Sequence, residues 1–432
     1  MALPIQIQKG TSKYRTYKIA GYVGLLLLLF FVAFAFANTA SIEVGENTYR
    51  LGLLRVTKAV SFMVAILGLQ VVAGFTGQLS LGQGFFFGTG AYISAWLVAD
   101  QGWPWLATLA IVIPATFILG LLFGLPALRI KGLYLALVTL GLAAVFPSLI
   151  LLDILEPFTG GAAGKLVDFE MEPPGWLPLD GISDFLNSLP VIGGFFEEGG
   201  LSDREEERVW RFTVLTLLAA ICFKLASNLV KSRPGRAMRA IRDNETSAAV
   251  NGISLSYYKT MSFGVASALG GIGGTIYVAE LGIASQGDFT QLLSILFIVG
   301  LVVGGVGTLS GAIIGGLVIT FIPDWASSTT EVPGIPERWL DGPVGGLMLG
   351  ILLIVLTFVL PGGVIAGVRQ IRAKFVQILP QLPPLLGGAA ESSSEPVVDL
   401  ANGTSEMANE SYDEMDEEQE ELVGVGDADP SS

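Results

Sequence analysis

The sequence predicts an all-α integral membrane protein of about ten transmembrane helices, and three observations carry that prediction. Charge-free apolar runs of roughly 18 residues or more recur before Lys374, each long enough to cross about 30 Å of hydrocarbon as a helix. Hydrophobic residues make up 52% of the 432 and charged residues 14%, against roughly 25% charged in soluble domains. Basic residues gather at alternate connections between the runs, as the positive-inside rule requires. The net charge of −14 belongs to the C-terminal tail, because 14 acids and no base follow Lys374 and 24 of each sign precede it. One cysteine, Cys222, and no histidine exclude an intramolecular disulfide, histidine metal sites and histidine acid/base chemistry. No catalytic residue, metal ligand or resident cofactor is expected, and the chain reads as a non-enzyme.

The elements follow in order. Residues 1–18 form a cytoplasmic N-terminus, with Lys9, Lys13, Arg15 and Lys18 preceding a first span over Ile19 to Ala37. That run ends in small residues, as a signal peptide does, but its apolar core exceeds the roughly 7–15 residues of one. Ala59 to Ala99 holds two spans, near 59–74 and 84–99, separated by a Gly-rich break between Gly74 and Gly90. Gln101 to Leu128 and Gly132 to Leu152 flank the basic turn of Arg129 and Lys131, which places that turn inside and the next loop outside. This loop, 153–211, has 13 acids against Lys165, Arg204, Arg208 and Arg211 and is read as extracytoplasmic.

Phe212 to Val230 returns inward, with Lys224 able to snorkel to the interface. The loop 231–260 is strongly basic and therefore cytoplasmic, carrying Lys231, Arg233, Arg236, Arg239, Arg242 and Lys259 against Asp243 and Glu245. Thr260 to Ala279 goes out, Phe289 to Pro323 is broken at Gly304 to Gly307, and Gly342 to Gly367 returns to Arg369, Arg372 and Lys374. The membrane body thus covers 19–374 with both termini cytoplasmic, and only Arg50, Arg55 and Lys58 fall on the wrong side. Residues 375–432 are acidic and poor in large apolar groups, so a disordered cytoplasmic tail is expected.

The spans hold almost no ionisable residues at depth, which argues against proton-coupled transport and membrane-embedded catalysis. No phosphate loop supplies energy either. Gly160 to Lys165 imitates one, but is a residue short between its glycines and has Leu166 where a magnesium-holding hydroxyl belongs. Two breaks share the pattern G-x-x-G-x-L-S, Gly74 to Ser80 and Gly304 to Ser310, and suggest two weakly related halves with Gly-broken helices beside a translocation path. Candidate path residues are Gly74, Thr76, Gly77, Gln78 and Ser80 with Gly304, Gly307, Thr308 and Ser310; tight helix packing is the other reading of the same glycines. In the basic loop, a helix within Pro234 to Val250 carries an apolar stripe of Met238, Ile241, Ala248 and Ala249, stopped at Asn251-Gly252. It is expected to dock in a groove on another protein through Arg236, Met238, Arg239, Ile241, Glu245 and Gly252.

Four pieces in this order are similar to the branched-chain amino acid permease family of ABC importers. They are Gly77-Gln-Leu-Ser-Leu-Gly-Gln-Gly-Phe85 with Gly88 to Tyr92, Leu128-Arg-Ile-Lys-Gly-Leu-Tyr134, Thr159 to Gly164, and Gly235-Arg-Ala-Met-Arg-Ala-Ile-Arg-Asp243 continuing to Ile253. The resemblance covers about residues 50–365 and is nearest the longer of the two paired permease types, with Gln83 standing where many relatives carry histidine. It implies a plasma-membrane subunit that works with a second related permease, two cytoplasmic ATP-binding subunits and an extracytoplasmic substrate-binding protein, within the lipid bilayer and without nucleic acid. ATP would be bound by the partners. The implied cargo is a branched-chain amino acid; urea, short amides, other amino acids or an ion-coupled secondary transporter are the alternatives.

Overall fold

The computed structural model describes residues 53–128, 132–169 and 203–328, with shorter pieces at 5–8, 40–44, 47–51, 171, 173, 350, 362–367 and 376–379. The expected first span at 19–37, Arg129 and Lys131, most of 170–202, most of the span at 342–367 and the tail beyond 379 lie outside the described residues.

The helical body begins with α1, Leu53–Leu69, which runs into a π-helical turn over Gln70–Phe75. There follow α2 (Gln83–Ala99), α3 (Trp105–Gly124), α4 (Leu133–Ile150) and the short α5 (Glu156–Thr159). After these come α6 (Asp203–Lys231), α7 (Arg233–Asp243), α8 (Glu245–Val250), α9 (Leu255–Leu281), α10 (Gln291–Gly304) and α11 (Leu309–Ser328). Five helical segments among the described residues are long and apolar enough to cross a membrane: Leu53–Phe75, Trp105–Gly124, Glu206–Lys231, Leu255–Leu281 and Gln286–Gly304. Among the described residues, strands are confined to three short ladders. They pair β1 (Ile5–Gln8) parallel to β6 (Val376–Leu379), β2 (Ala40–Val44) antiparallel to β3 (Asn47–Leu51), and β4 (Lys165–Leu166) antiparallel to β5 (Ile283–Ala284).

Helix α9 is the centre of the body, buried almost continuously from Ser262 to Ala279. Small residues let its neighbours approach at backbone distance, the way membrane helices gain dispersion energy without a hydrophobic driving force. A Cβ on Gly274 would lie 1.8 Å from the Phe87 carbonyl oxygen on α2, and one on Gly90 would lie 2.2 Å from that of Gly271. On the opposite flank, Gly120 of α3 meets Ser267. Aromatic rings fill the space between α1, α2, α9 and α10, with Phe62 stacked on Tyr277 and edge-on to Phe297. Outward faces are apolar, including Leu106, Ile118 and Leu122 of α3 and Leu217, Ile221 and Leu225 of α6, as a bilayer or a partner helix requires.

The contacts sort the connections into two ends. At one end, Gly74 meets Arg242 and Gly307, and Gln78 meets Lys259. At the other, β4 pairs with β5, and Lys165 forms an ion pair with Asp100 at 2.7 Å. The segment Gly160 to Lys165 is therefore a tight turn rather than a phosphate cradle, since a Cβ on Gly160 would lie 2.2 Å from the Gly164 oxygen.

Several boundaries differ from the hydropathy reading. Helix α1 starts at Leu53, not near residue 59, and takes in Arg55 and Lys58; the Lys58 ammonium lies 5.7 Å from the centre of the Phe62 ring, where the ring face offsets part of its desolvation. Helix α6 starts at Asp203, so the last residues of the acidic loop are helical, with Glu207 paired to Arg211 one turn on. Residues 255–260 of the expected basic loop already belong to α9. Val376 to Leu379, assigned to the disordered tail, form a strand. Charge ends a hydropathy window, but a helix continues wherever its backbone bonds and side-chain partners allow.

Candidate functional site

The two glycine breaks come together. The chain leaves the α1 π-helical turn through Thr76 and Gly77, the latter at φ +76°, a left-handed conformation that glycine adopts without steric penalty. Between α10 and α11 the corresponding break has Gly305 at φ +112° and Gly307 at φ +77°. Gln70 joins the two: its Nε2 donates to the Gly305 carbonyl at 3.0 Å, and its Oε1 accepts from the N–H groups of Gly307 and Thr308 at 2.8 and 3.2 Å. A Cβ on Gly74 would stand 2.8 Å from the Gly307 nitrogen, so this seam admits only glycine at that position.

The remaining candidate path residues divide by what their polar atoms do. Thr76 Oγ1 donates to Val71 O at 3.1 Å and Thr308 Oγ1 to Gly305 O at 2.7 Å, so both hydroxyls close their own turns. Ser80 is buried and its Oγ accepts from Gly82 N at 3.4 Å, whereas Ser310 is exposed. Gly304 packs on Gly311, where a Cβ would come within 1.9 Å of the carbonyl oxygen. Gln78 is different: its Nε2 reaches Ser262 Oγ at 3.1 Å, while its buried Oε1 has no hydrogen-bond partner among the described residues.

The basic loop sits at the same end. Its expected single helix is two, because Asn244 turns to extended backbone (φ −158°, ψ 110°) and caps α8 by accepting from Ser247 N at 2.9 Å. The expected outward stripe is also corrected: Met238, Ile241 and Ala248 are buried in the chain's own core, and only Ala249 of the four is exposed. These apolar groups find partners within the membrane body, so the face left for another protein is polar, with Arg236, Arg239, Thr246 and Ser247 exposed, and with Val250 at 83% exposure. Gly252, at φ +78°, has nothing among the described residues within 4 Å of its Cβ position and makes the turn into α9.

Three attachments hold this loop. Arg236 Nη1 donates to Lys231 O and Arg239 Nη2 to Val230 O, both at 3.3 Å, capping the end of α6 where its carbonyls carry partial negative charge. Glu245 of α8 pairs with Lys259 of α9 at 2.6 Å, with the lysine side chain 5% exposed and the glutamate 34%. Arg242 Nη1 donates to the Gly74 carbonyl at 2.6 Å. Gln70 is not named from sequence, and Arg242 and Lys259 are named there only as charges of the basic loop, with no bonding partner for either. An amide inside an otherwise apolar span was the available signal for Gln70, because such a group is costly in a membrane unless it is bonded.

The sequence matches the family described as "Branched-chain amino acid transport system / permease component" over residues 53–357. The chain belongs to this permease family. Two relatives are 28% identical over 324 residues, 74% of this chain and 71% of theirs: the high-affinity branched-chain amino acid transport system permease protein LivM of Salmonella typhimurium and that of Escherichia coli. No solved structure matches the chain. The permease family and the apolar helices together make this a multi-pass membrane protein of an ABC amino acid transport system. The matched region contains both glycine breaks and the whole basic loop.

Proposed function

We propose that this permease is one transmembrane subunit of an ABC importer for branched-chain amino acids, driven by separate ATP-binding subunits that dock on the polar face of α7 and α8. The observation that carries the reading is the bond from the basic loop to the first glycine break at Gly74, a break that Gln70 in turn bonds to the second, all at one end of the body. A displacement imposed on that loop then reaches the helices that flank the path, and rigid-body motion alternates access without chemistry in this chain. A second related permease would cover part of the exposed apolar face, and an extracytoplasmic binding protein would deliver the cargo to the end bearing β4 and β5. ATP belongs to the partner subunits.

In this reading the path runs beside Gly74 to Ser80 and Gly304 to Ser310. The buried Oε1 of Gln78, without a hydrogen-bond partner among the described residues, supports this, since it offers a passing ammonium group an acceptor. Reconstitution tests the proposal. The complete assembly in proteoliposomes should accumulate labelled leucine only with ATP, and urea should not compete. Accumulation by this chain alone, without ATP-binding subunits, would refute it in favour of a secondary transporter.

A further inference from the structure

Of the arginines spaced three apart in the basic loop, Arg236 and Arg239 make hydrogen bonds to the adjoining end of α6. Arg242 does not: it crosses to Gly74, on an element remote in sequence. Orientation by positive charge requires only that an arginine be on the correct side, so it gives no reason for this specific bond.

The bond lands where three elements meet. Gly74 lies in the π-helical turn that ends α1, a geometry that departs from the i to i−4 ladder and is frequent at functional sites. A Cβ on Gly307 would come within 2.7 Å of Arg242 Nη1, and one on Gly77 within 3.2 Å of Arg242 Cγ. The guanidinium therefore occupies the seam between the end of α1 and the α10–α11 turn, close to the carbonyl ends of two helices, which favour a cation. Gln70 closes the seam from inside with its three bonds to the α10–α11 turn.

We propose that Arg242 and Gln70 are positioning residues that form one strut, so that α7 cannot move without carrying both glycine-broken helices with it. The proposal rests on the reading of the chain as an ATP-driven permease subunit and specifies how motion enters the membrane body. The two halves are driven together because the link is made at their junction, not at one helix.

The test uses the complete transporter in nanodiscs. Arg242→Gln should reduce ATP-driven leucine uptake about tenfold or more, the scale expected for one charge-assisted bond, while basal ATP hydrolysis stays within about twofold. Arg242→Lys, which keeps a positively charged donor for the Gly74 carbonyl where glutamine offers only a neutral, shorter amide, should recover most of the uptake, and Gln70→Leu should reproduce the loss. With Cys222 replaced, spin labels at Ser247 and Val306, both exposed, should keep one narrow distance with and without trapped nucleotide in the unsubstituted protein. In Arg242→Gln that distance should broaden and become nucleotide-dependent. Should Arg242→Gln fail to assemble, the lysine variant and the label pair in the unsubstituted protein still decide: a distance that changes with nucleotide overturns the strut. Uptake within twofold of the unsubstituted complex in both Arg242→Gln and Gln70→Leu also overturns it. Absence of ATP-driven uptake by the unsubstituted complex would instead overturn the transport reading.

Discussion

Replacing Gly274 by alanine adds one methyl group at the glycine position with the least room for it among the described residues. The new Cβ would lie 1.8 Å from the Phe87 carbonyl oxygen, well inside the 3.0 Å that real Cβ atoms essentially never breach. Backbone on both sides cannot rotate away, so α9 and α2 must part by more than an ångström. A gap of that size forfeits a quarter to a half of the dispersion well of each atom pair along the seam, and overpacking itself costs 1–3 kcal/mol. A destabilisation of about 3 kcal/mol follows. Gly141→Ala is the matched control, because nothing among the described residues lies within 4 Å of that Cβ position in the middle of α4. There the better helix propensity of alanine should stabilise by up to about 1 kcal/mol. Reversible unfolding of the purified chain in mixed micelles, followed by tryptophan fluorescence, reads both changes. If Gly274→Ala unfolds within about 0.5 kcal/mol of the unsubstituted protein, well below the overpacking range, then α9 and α2 do not meet at backbone distance and the account of the core is wrong.

The ion pair between Glu245 and Lys259 should respond asymmetrically. Glu245→Gln leaves a lysine that is 5% exposed without its partner and should cost about 3 kcal/mol, whereas Lys259→Met leaves a carboxylate that water still reaches and should cost about 1–2 kcal/mol; thermal unfolding in detergent gives the order. Gly252→Val should cost about 1 kcal/mol through backbone strain alone, and Gly252→Asn distinctly less, because asparagine tolerates the left-handed region. For orientation, after removal of Cys222 a cysteine at Ser188 should react with an impermeant reagent in intact cells and one at Ser247 should not, the opposite pattern inverting the topology.

The sequence by itself determined the membrane class, the approximate position of the helices and the family. Hydropathy is a local property, and a run such as Gln101 to Leu128 contains everything needed to form α3. Glycine breaks were equally legible, since Gly77 and Gly307 take positive φ for reasons contained in their own turns. Helix ends were less so: α1 and α6 extend past Lys58 and Glu207 because charged side chains found partners that a hydropathy window does not see. Which face of α7 turns inward was decided only by tertiary structure. Met238 and Ile241 form the same stripe whether they cover the chain's own helices or a foreign groove, and the supply of apolar surface beneath them settled it. The meeting of Gln70, Gly74, Arg242 and Gly307 lay beyond any pattern in the chain. Residues so far apart in sequence are brought within 3 Å by helix packing alone, and packing depends on which small residues face each other across α1, α2, α9 and α10 after all of them have folded.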